Sequence, residues 1–138
     1  MTAPDPDACI AEAALEKIRD DLVSELGITD LQARAYLQVT CGGRASSDVI
    51  AARLDVSAQD AQDAAESLVE LGAFIELGND NDGRGGDFEA MHPRFTAVNM
   101  LRRTCERRGR QFGRNRIMDA VGAALEAPYD SARTNKGS

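Results

Sequence analysis

The side chains that could carry out catalysis or hold a metal ion are few and scattered in this chain. His92 is the single histidine and stands beside Pro93, a position more typical of a surface or capping residue than of a general base. Cys9, Cys41 and Cys105 are widely spaced and form no C-x-x-C pair, which favours small hydrophobic residues in a reducing cytoplasm over a disulfide framework or a metal site. These residues predict a cytoplasmic protein without enzymatic activity and without a cofactor.

A glycine-rich segment from Gly78 to Gly86 reads G-N-D-N-D-G-R-G-G and carries Arg84 near its end. It lacks the Gly-Lys-Ser/Thr ending of a phosphate-binding loop and the glutamate that closes a calcium-binding loop. A weak calcium site at its Asp and Asn residues, 80 to 82, is the less favoured alternative. Glycine, asparagine and aspartate accept positive φ angles, so the segment predicts a turn between two strands.

Charge divides the chain into an acidic and a basic part, within a formal net charge of −7. Residues 1–91 hold six Lys and Arg against nineteen Asp and Glu, and residues 92–138 hold ten against four. Only the second part suits a polyanion directly. Its dense basic feature is the cluster Arg102, Arg103, Arg107, Arg108, Arg110, Arg114 and Arg116. This cluster could contact a DNA backbone, an acidic partner protein or the acidic half of a second subunit, or it could be a solvated helix face.

Four helices are predicted before the turn, each with a start or stop signal. The first covers residues 8–26 and ends at Gly27, and the second begins at Thr29 with the capping-box pattern T-D-L-Q. A short third helix is capped by Ser46 or Ser47. Ser57 caps the fourth, which runs to residue 71 after the short link D-V-S, the spacing of a helix-turn-helix.

The remaining chain predicts a β-hairpin and a long helical end. Phe74 and Phe88 belong to two short strands on either side of the glycine-rich turn. Pro93 suits the first turn of a last helix, which Gly109 and Gly113 kink or divide in two. Pro128 is expected to end this helical part. No run of apolar residues approaches the length that spans a bilayer, so we expect no association with a membrane.

The predicted fold class is therefore mainly α with a small β-hairpin, a winged helix-turn-helix with extra N- and C-terminal helices. The expected organisation has four parts in chain order. They are a flexible N-terminus (1–7), the winged domain with its N-terminal helix (8–92), one or two C-terminal dimerisation helices (93–127) and a flexible tail (128–138).

Three segments resemble the TrmB-type winged-helix domain of archaeal transcription regulators. L-G-I-T-D-L-Q-A-R-A-Y-L, from Leu26 to Leu37, is similar to the turn and helix that open this domain. S-L-V-E-L-G-A-F (Ser67 to Phe74) is similar to its run into the wing, and G-R-G-G-D-F-E-A-M-H-P (Gly83 to Pro93) to the wing itself. The resemblance covers residues 22–93 and extends to MarR-type regulators, which dimerise through added helices. It implies a DNA-binding regulator, whereas nothing after residue 93 resembles the sugar-binding domain of longer family members.

The expected DNA contacts lie on the fourth helix, at the helix starts and in the wing. They are Arg44, Ser46, Ser47, Ser57, Gln59, Gln62, Asp63 and Arg84. Glutamine can pair with adenine and aspartate can accept from cytosine. The same helix carries no Lys or Arg, and an acidic face repels phosphate. The alternative hypothesis is therefore a winged helix used for protein–protein contact in the transcription machinery, through its acidic helix or the arginine-rich helix.

Two apolar stripes near the ends of the chain favour a homodimer. The first comprises Leu15, Ile18 and Leu22, and the second comprises Leu101, Cys105 and Phe112. Their spacing of three, four or seven residues places each set on one side of a helix. Together they exceed what a three-helix core and a hairpin would cover, so we expect the excess to lie between two subunits.

Overall fold

The computed structural model of this chain describes residues 12–78 and 86–134. It is mainly helical with a small two-stranded antiparallel sheet, which confirms the coarse fold class. The elements are α1 (Glu12–Leu26), α2 (Asp30–Gly42), α3 (Ser47–Leu54), α4 (Ala58–Glu70), β1 (Phe74–Leu77), β2 (Asp87–Ala90), α5 (Pro93–Arg108) and α6 (Arg116–Thr134). No helix in the described ranges has the length and apolar character needed to cross a membrane.

Side-chain caps fix where α2, α3 and α4 begin. Thr29 and Gln32 form the full predicted capping box, with the Gln32 amide N–H donating to the Thr29 hydroxyl and the Thr29 N–H donating to the Gln32 side chain. The hydroxyl oxygen of Ser46 accepts from the amide of Val49, so Ser46 caps α3 and Ser47 is its first residue. Ser57 caps α4 in the same way. Each cap satisfies an amide that the helix itself leaves without a partner.

Residues with positive φ end several of these helices. Gly27 follows α1 with φ +68°, and a Cβ on it would also overlap the Arg108 guanidinium group, which lies against its backbone. Asp55 ends α3 with φ 58°, the one positive-φ residue other than glycine in the described ranges. Aspartate tolerates this conformation better than most side chains, and it turns the chain directly into the cap of α4.

The core joins all the helices to the hairpin. Tyr36 of α2, Phe74 of β1 and Phe88 of β2 are buried, with ring centroids 6.3 Å apart in each successive pair. Helix α4 contributes a buried stripe with helical spacing, namely Ala61, Ala64, Ala65 and Leu68. The strands pair from Phe74↔Ala90 to Leu77↔Asp87. A single bridge from Ala45, between α2 and α3, adds two further hydrogen bonds to Phe88.

The C-terminal part forms two helices, one of the alternatives that the sequence left open, because Gly109 ends α5 in the left-handed region with φ 65° and the next helix begins at Arg116. Phe112 therefore lies in the connection and shares no helical stripe with Leu101. The expectation that Pro128 ends the helix is wrong, since α6 continues to Thr134. The residues from 128 to 134, expected as a flexible tail, are helical.

Contacts of the last two turns explain why α6 passes through Pro128. Proline removes one helical hydrogen bond, but its ring is buried. Arg133 places its guanidinium 3.8 Å from the centroid of the Tyr129 ring, donates to the carbonyl of Thr40 at 2.7 Å and pairs with Glu89 of β2. These tertiary contacts offset the local cost of the proline.

Close backbone contact brings α6 against α5. A Cβ on Gly122 would lie 3.1 Å from the Cα of Arg94 and 3.3 Å from the carbonyl oxygen of Pro93. Met118 and Leu125, on the same side of α6, are buried in the core that also holds α1 and α2. The C-terminal helices thus pack on the same core as the helices before the hairpin.

Candidate nucleic-acid interface

The outward face of α4 is polar, and its side chains form no hydrogen bond or ion pair with another element among the residues that the structure describes. Gln59, Asp63, Glu66 and Glu70 are spaced by three and four residues opposite the buried alanines, and Gln62 lies at the edge of this face. The Nε2 of Gln59 donates to Asp63 and that of Gln62 to Glu66, both at 2.8 Å. Each amide keeps a second N–H and its carbonyl oxygen for another partner.

Four carboxylates dominate the charge of this face. Asp60, Asp63, Glu66 and Glu70 lie on α4, and none forms an ion pair with a cation in residues 12–78 or 86–134. Helix α4 also contains no Lys or Arg of its own. The field in front of α4 is therefore negative, apart from the first turn, where the free amides of the helix N-terminus attract anions.

The serines expected to contact phosphate serve as helix caps or begin a helix. Ser57 accepts from the amide of Asp60 at 3.0 Å, and Ser46 accepts from that of Val49 at 3.3 Å. A capping hydroxyl still has its own hydrogen to donate, so capping and contact with an anion are compatible. Ser47, which caps nothing, begins α3 and is half-buried.

The arginines before and after α4 in the sequence occupy different positions. Arg44 donates to Asp87 of β2 at 2.9 Å, and both side chains are about two-fifths exposed at 41% and 42%. This pair lies at the turn end of the strands, where Leu77 pairs with Asp87, beside the Ala45 bridge. Arg53, on the exposed side of α3, comes near the end of α2. Arg84 and the possible calcium ligands at 80 to 82 lie outside the described residues.

A second charged region is formed by the end of α5 and the connection to α6. Arg103 donates from Nη1 to the carbonyl of Glu70 at 2.7 Å, and the guanidinium of Arg102 lies 5.3 Å from the centroid of the Phe112 ring. Arg114 pairs with Asp119 at 3.1 Å. Arg107, Arg108, Arg110 and Arg116 are exposed and have no acidic partner among the residues that the structure describes.

The residues expected at a dimer interface are divided by the structure. Ile18, Leu22 and Leu101 are buried within a single chain, and Leu15 and Cys105 are partly buried against the same core. Helix α6 covers surface that the sequence interpretation assigned to a second subunit, since it packs on both α1 and α2. Phe112 is 42% exposed in the α5–α6 connection. Ile18, Leu22 and Leu101 therefore offer no apolar surface to a second subunit.

His92 and Tyr36 are titratable side chains that form contacts within the fold. The Nδ1 of His92 accepts from the amide of Arg94 at 3.2 Å, which caps α5, and its Nε2 lies 3.6 Å from Glu126. Burial raises the pKa of Tyr36 to about 12, where its hydroxyl lies 2.6 Å from that of Thr96. No group of three or more His, Cys, Asp or Glu in the described ranges is placed to hold a metal ion.

Sequence reasoning missed the cluster around Arg133. This side chain joins α2, β2 and α6, although the sequence placed it in a tail. A usable signal was the helical spacing of four between Tyr129 and Arg133, which continues after Pro128.

Comparison of the chain with protein-family models, with curated proteins and with solved structures gave no match.

Proposed function

We propose that this chain is a winged helix-turn-helix protein that binds double-stranded DNA and regulates transcription. Helix α4 enters the major groove, and the β1–β2 hairpin acts as the wing. The observation that carries this proposal is the sequence of packed elements from α2 to β2. A short helix, a tight turn at Asp55 and a second helix with a free outward face are followed at once by a hairpin, as in helix-turn-helix proteins with a wing.

The Ala45 bridge supports the same assignment. Ala45 lies between α2 and α3, yet it exchanges two hydrogen bonds with Phe88 of β2, at 3.0 and 2.7 Å. This bridge extends the small sheet by one position of a third strand and anchors the helix-turn-helix to the hairpin. The orientation of α4 relative to the wing is thereby held by main-chain contacts as well as by the core.

Contacts to DNA follow from the side chains on this surface. Gln59 and Gln62 reach base edges with their remaining amide donors and acceptors, and Asp63 accepts from a cytosine amino group. Ser46, Ser47 and Ser57 contact phosphates from the helix starts. Arg44, released from Asp87 or bridging to phosphate, and Arg84 of the wing supply positive charge. With so few cations, affinity depends on the fit of α4 in the groove.

Fluorescence anisotropy tests this proposal with the full chain, a labelled duplex selected from a random library and a scrambled duplex. We expect tighter binding to the selected duplex and a loss of this preference in Gln59→Ala/Gln62→Ala. Arg44→Ala should weaken binding to both duplexes and reduce the salt dependence, because it removes a phosphate contact. Glu16→Ala, on the exposed side of α1, is the control and should change neither. Failure to enrich any duplex contradicts the proposal.

One observation favours a second candidate, a winged helix that docks on a basic protein. The four carboxylates of α4 have no cationic partner in the described ranges, and a duplex brought to this face would meet like charge. An arginine- or lysine-rich partner would neutralise it. Binding of a polyarginine peptide, weakened by Asp63→Asn/Glu66→Gln, together with no duplex enrichment, would support this candidate over the first.

A further inference from the structure

Two exposed surfaces of opposite charge lie side by side in this molecule. We name the acidic face of α4, comprising Asp60, Asp63, Glu66 and Glu70, the acid face. The arginine face comprises Arg103, Arg107, Arg108 and Arg110, at the end of α5 and the start of its connection to α6. Neither face forms an ion pair within the ranges 12–78 and 86–134.

Two contacts show that these faces adjoin. The Nη1 of Arg103 lies 2.7 Å from the main-chain oxygen of Glu70, at the end of α4. One turn further along α5, Arg107 and Arg108 line a surface depression of about 320 Å³ together with Ser67 and Leu71. The acid face thus ends where the arginine face begins.

Self-pairing of the two faces within one chain is limited by the direction of α4. Its carboxylates project outward, opposite the buried alanine stripe, whereas Arg107 and Arg108 lie beside Ser67 and Leu71, which are half-buried and buried. Arg103 reaches only the last carbonyl of that helix. Both sets of charges therefore remain available to a partner that approaches from outside.

We propose that two copies of this chain associate about a two-fold axis passing close to Glu70 and Arg103. The acid face of each copy then lies against the arginine face of the other. Adjoining patches of opposite sign become complementary to themselves under a two-fold rotation, which is the symmetry of an isologous dimer. The inference does not depend on the proposed DNA binding, and it uses a different surface from the apolar stripes at the ends of the chain.

A second copy satisfies both charged faces at once, which neither a nucleic acid nor a basic peptide does. DNA would neutralise the arginine face but would be repelled by the adjoining acid face. A basic peptide would leave the arginines without partners. In the dimer α4 is covered, so self-association and insertion of α4 into a groove would exclude each other.

Exposed ion pairs are individually weak and are screened by salt, so the dimer should be salt-labile. Sedimentation velocity of the full chain over a concentration series, without DNA, measures this directly. We expect a monomer–dimer equilibrium at low ionic strength, weakened at least tenfold between roughly 0.05 and 0.5 M salt. A chain that stays monomeric at low salt, or a dimer unaffected by salt, would overturn the proposal.

Charge exchange between variants tests which surfaces meet. The variant Asp63→Lys/Glu66→Lys/Glu70→Lys reverses the acid face, and Arg103→Glu/Arg107→Glu/Arg110→Glu reverses the arginine face. Each alone should be monomeric under the conditions where the unmodified chain dimerises. Their equimolar mixture should restore the dimer, because every contact then joins opposite charges again. Restoration also shows that both variants are folded, which circular dichroism checks independently.

The matched control reverses three carboxylates elsewhere, at Glu16 and Asp20 of α1 and Asp130 of α6. It changes the net charge by the same amount as the α4 variant and should leave dimerisation intact. A mixture that stays monomeric, or a control as defective as the α4 variant, refutes pairing of the two faces. Species that grow beyond the dimer with concentration refute the two-fold arrangement. The DNA-binding proposal is judged separately by duplex enrichment.

Discussion

Arg133, in the last turn of α6, donates a hydrogen bond of 2.7 Å from Nη1 to the main-chain carbonyl of Thr40, at the end of α2. The last carbonyls of a helix lack partners within it, and the end of the helix dipole attracts a cation. The same guanidinium pairs with Glu89 of β2 and lies on the ring of Tyr129. One side chain therefore holds α6 against both the helix-turn-helix and the hairpin.

Replacement of Arg133 by Met should destabilise the fold. It leaves the Glu89 carboxylate, whose side chain is 23% exposed, without its cation and removes the donor to the Thr40 carbonyl, so we expect a loss of about 2–3 kcal/mol in the free energy of unfolding. Urea denaturation measures the change. Arg116→Met, at an exposed position without an ion pair in the described ranges, should stay within about 0.5 kcal/mol of the unmodified chain. Equal effects of the two would contradict the role of Arg133.

Stability should fall at alkaline pH through Tyr36. Because burial raises the pKa of Tyr36 to about 12 from the ordinary 10.0, above pH 10 the unfolded chain loses the phenol proton while the folded chain keeps it. The stabilisation is complete below pH 10 and is lost as the pH rises towards 12, with a slope approaching 1.4 kcal/mol per pH unit. Tyr36→Phe should remove this part of the slope in urea denaturation measured between pH 9 and 11.

The Tyr36→Phe variant should also lose stability at neutral pH. The Thr96 hydroxyl donates to the carbonyl of Pro93 at 3.3 Å, so the Tyr36 hydroxyl donates to Thr96 at 2.6 Å. Removal of this buried hydrogen bond costs about 1 kcal/mol. Tyr129→Phe, at a partly buried tyrosine, is the control for the alkaline slope. If the steep alkaline slope persisted in Tyr36→Phe and disappeared in Tyr129→Phe, the assignment of the titration to Tyr36 would be wrong.

Gly122 should resist enlargement because α5 passes directly over it. A Cβ at this position already lies 3.1 Å from the Cα of Arg94, so Gly122→Val forces backbone apart and should destabilise the fold by about 1–3 kcal/mol. Ala123→Val places the same side chain on the exposed side of α6 and should show only the smaller effect of helix propensity. Thermal unfolding of both variants tests this, and similar melting temperatures would refute the close contact.

The two serines at the start of α3 should differ in how much stability is lost when each is replaced by alanine. Ser46→Ala removes the hydroxyl that accepts from the amide of Val49 and should cost about 1 kcal/mol. Ser47→Ala, at the first helical residue, removes no cap and should cost little. Denaturant midpoints of the two variants separate the assignments, and the reverse order would place the cap at Ser47.

Local signals predicted most of the region from α2 to β2. The capping box at Thr29, the cap at Ser57 and the stripe of Ala61, Ala64, Ala65 and Leu68 were all recognisable because caps and helical periodicity depend on residues a few positions apart. Gly72, which follows α4 with φ +83°, is a stop signal of the same local kind. The acidic outward face of α4 followed directly, since the buried stripe leaves only one face for the charged residues.

The end of the chain depended on contacts between distant residues. Proline is normally a reason for a helix to end, as predicted at Pro128. Here the contacts of Arg133 with Thr40 and Glu89, which are 93 and 44 positions away, outweigh that local effect. Similarly, Ile18 and Leu22 form a helical stripe that sequence alone can locate. Only the tertiary structure, in which α1 packs on α2, α5 and α6, shows that this stripe is covered within one chain.

By itself the sequence determined the element types, the caps and the charge of each face, because these depend on residue identity and on spacings of two to four positions. Tertiary structure decided which surfaces are covered and which remain exposed. It placed the arginine face beside the acid face and closed α6 over α1 and α2, since such neighbours are set by how whole helices pack and not by local spacing.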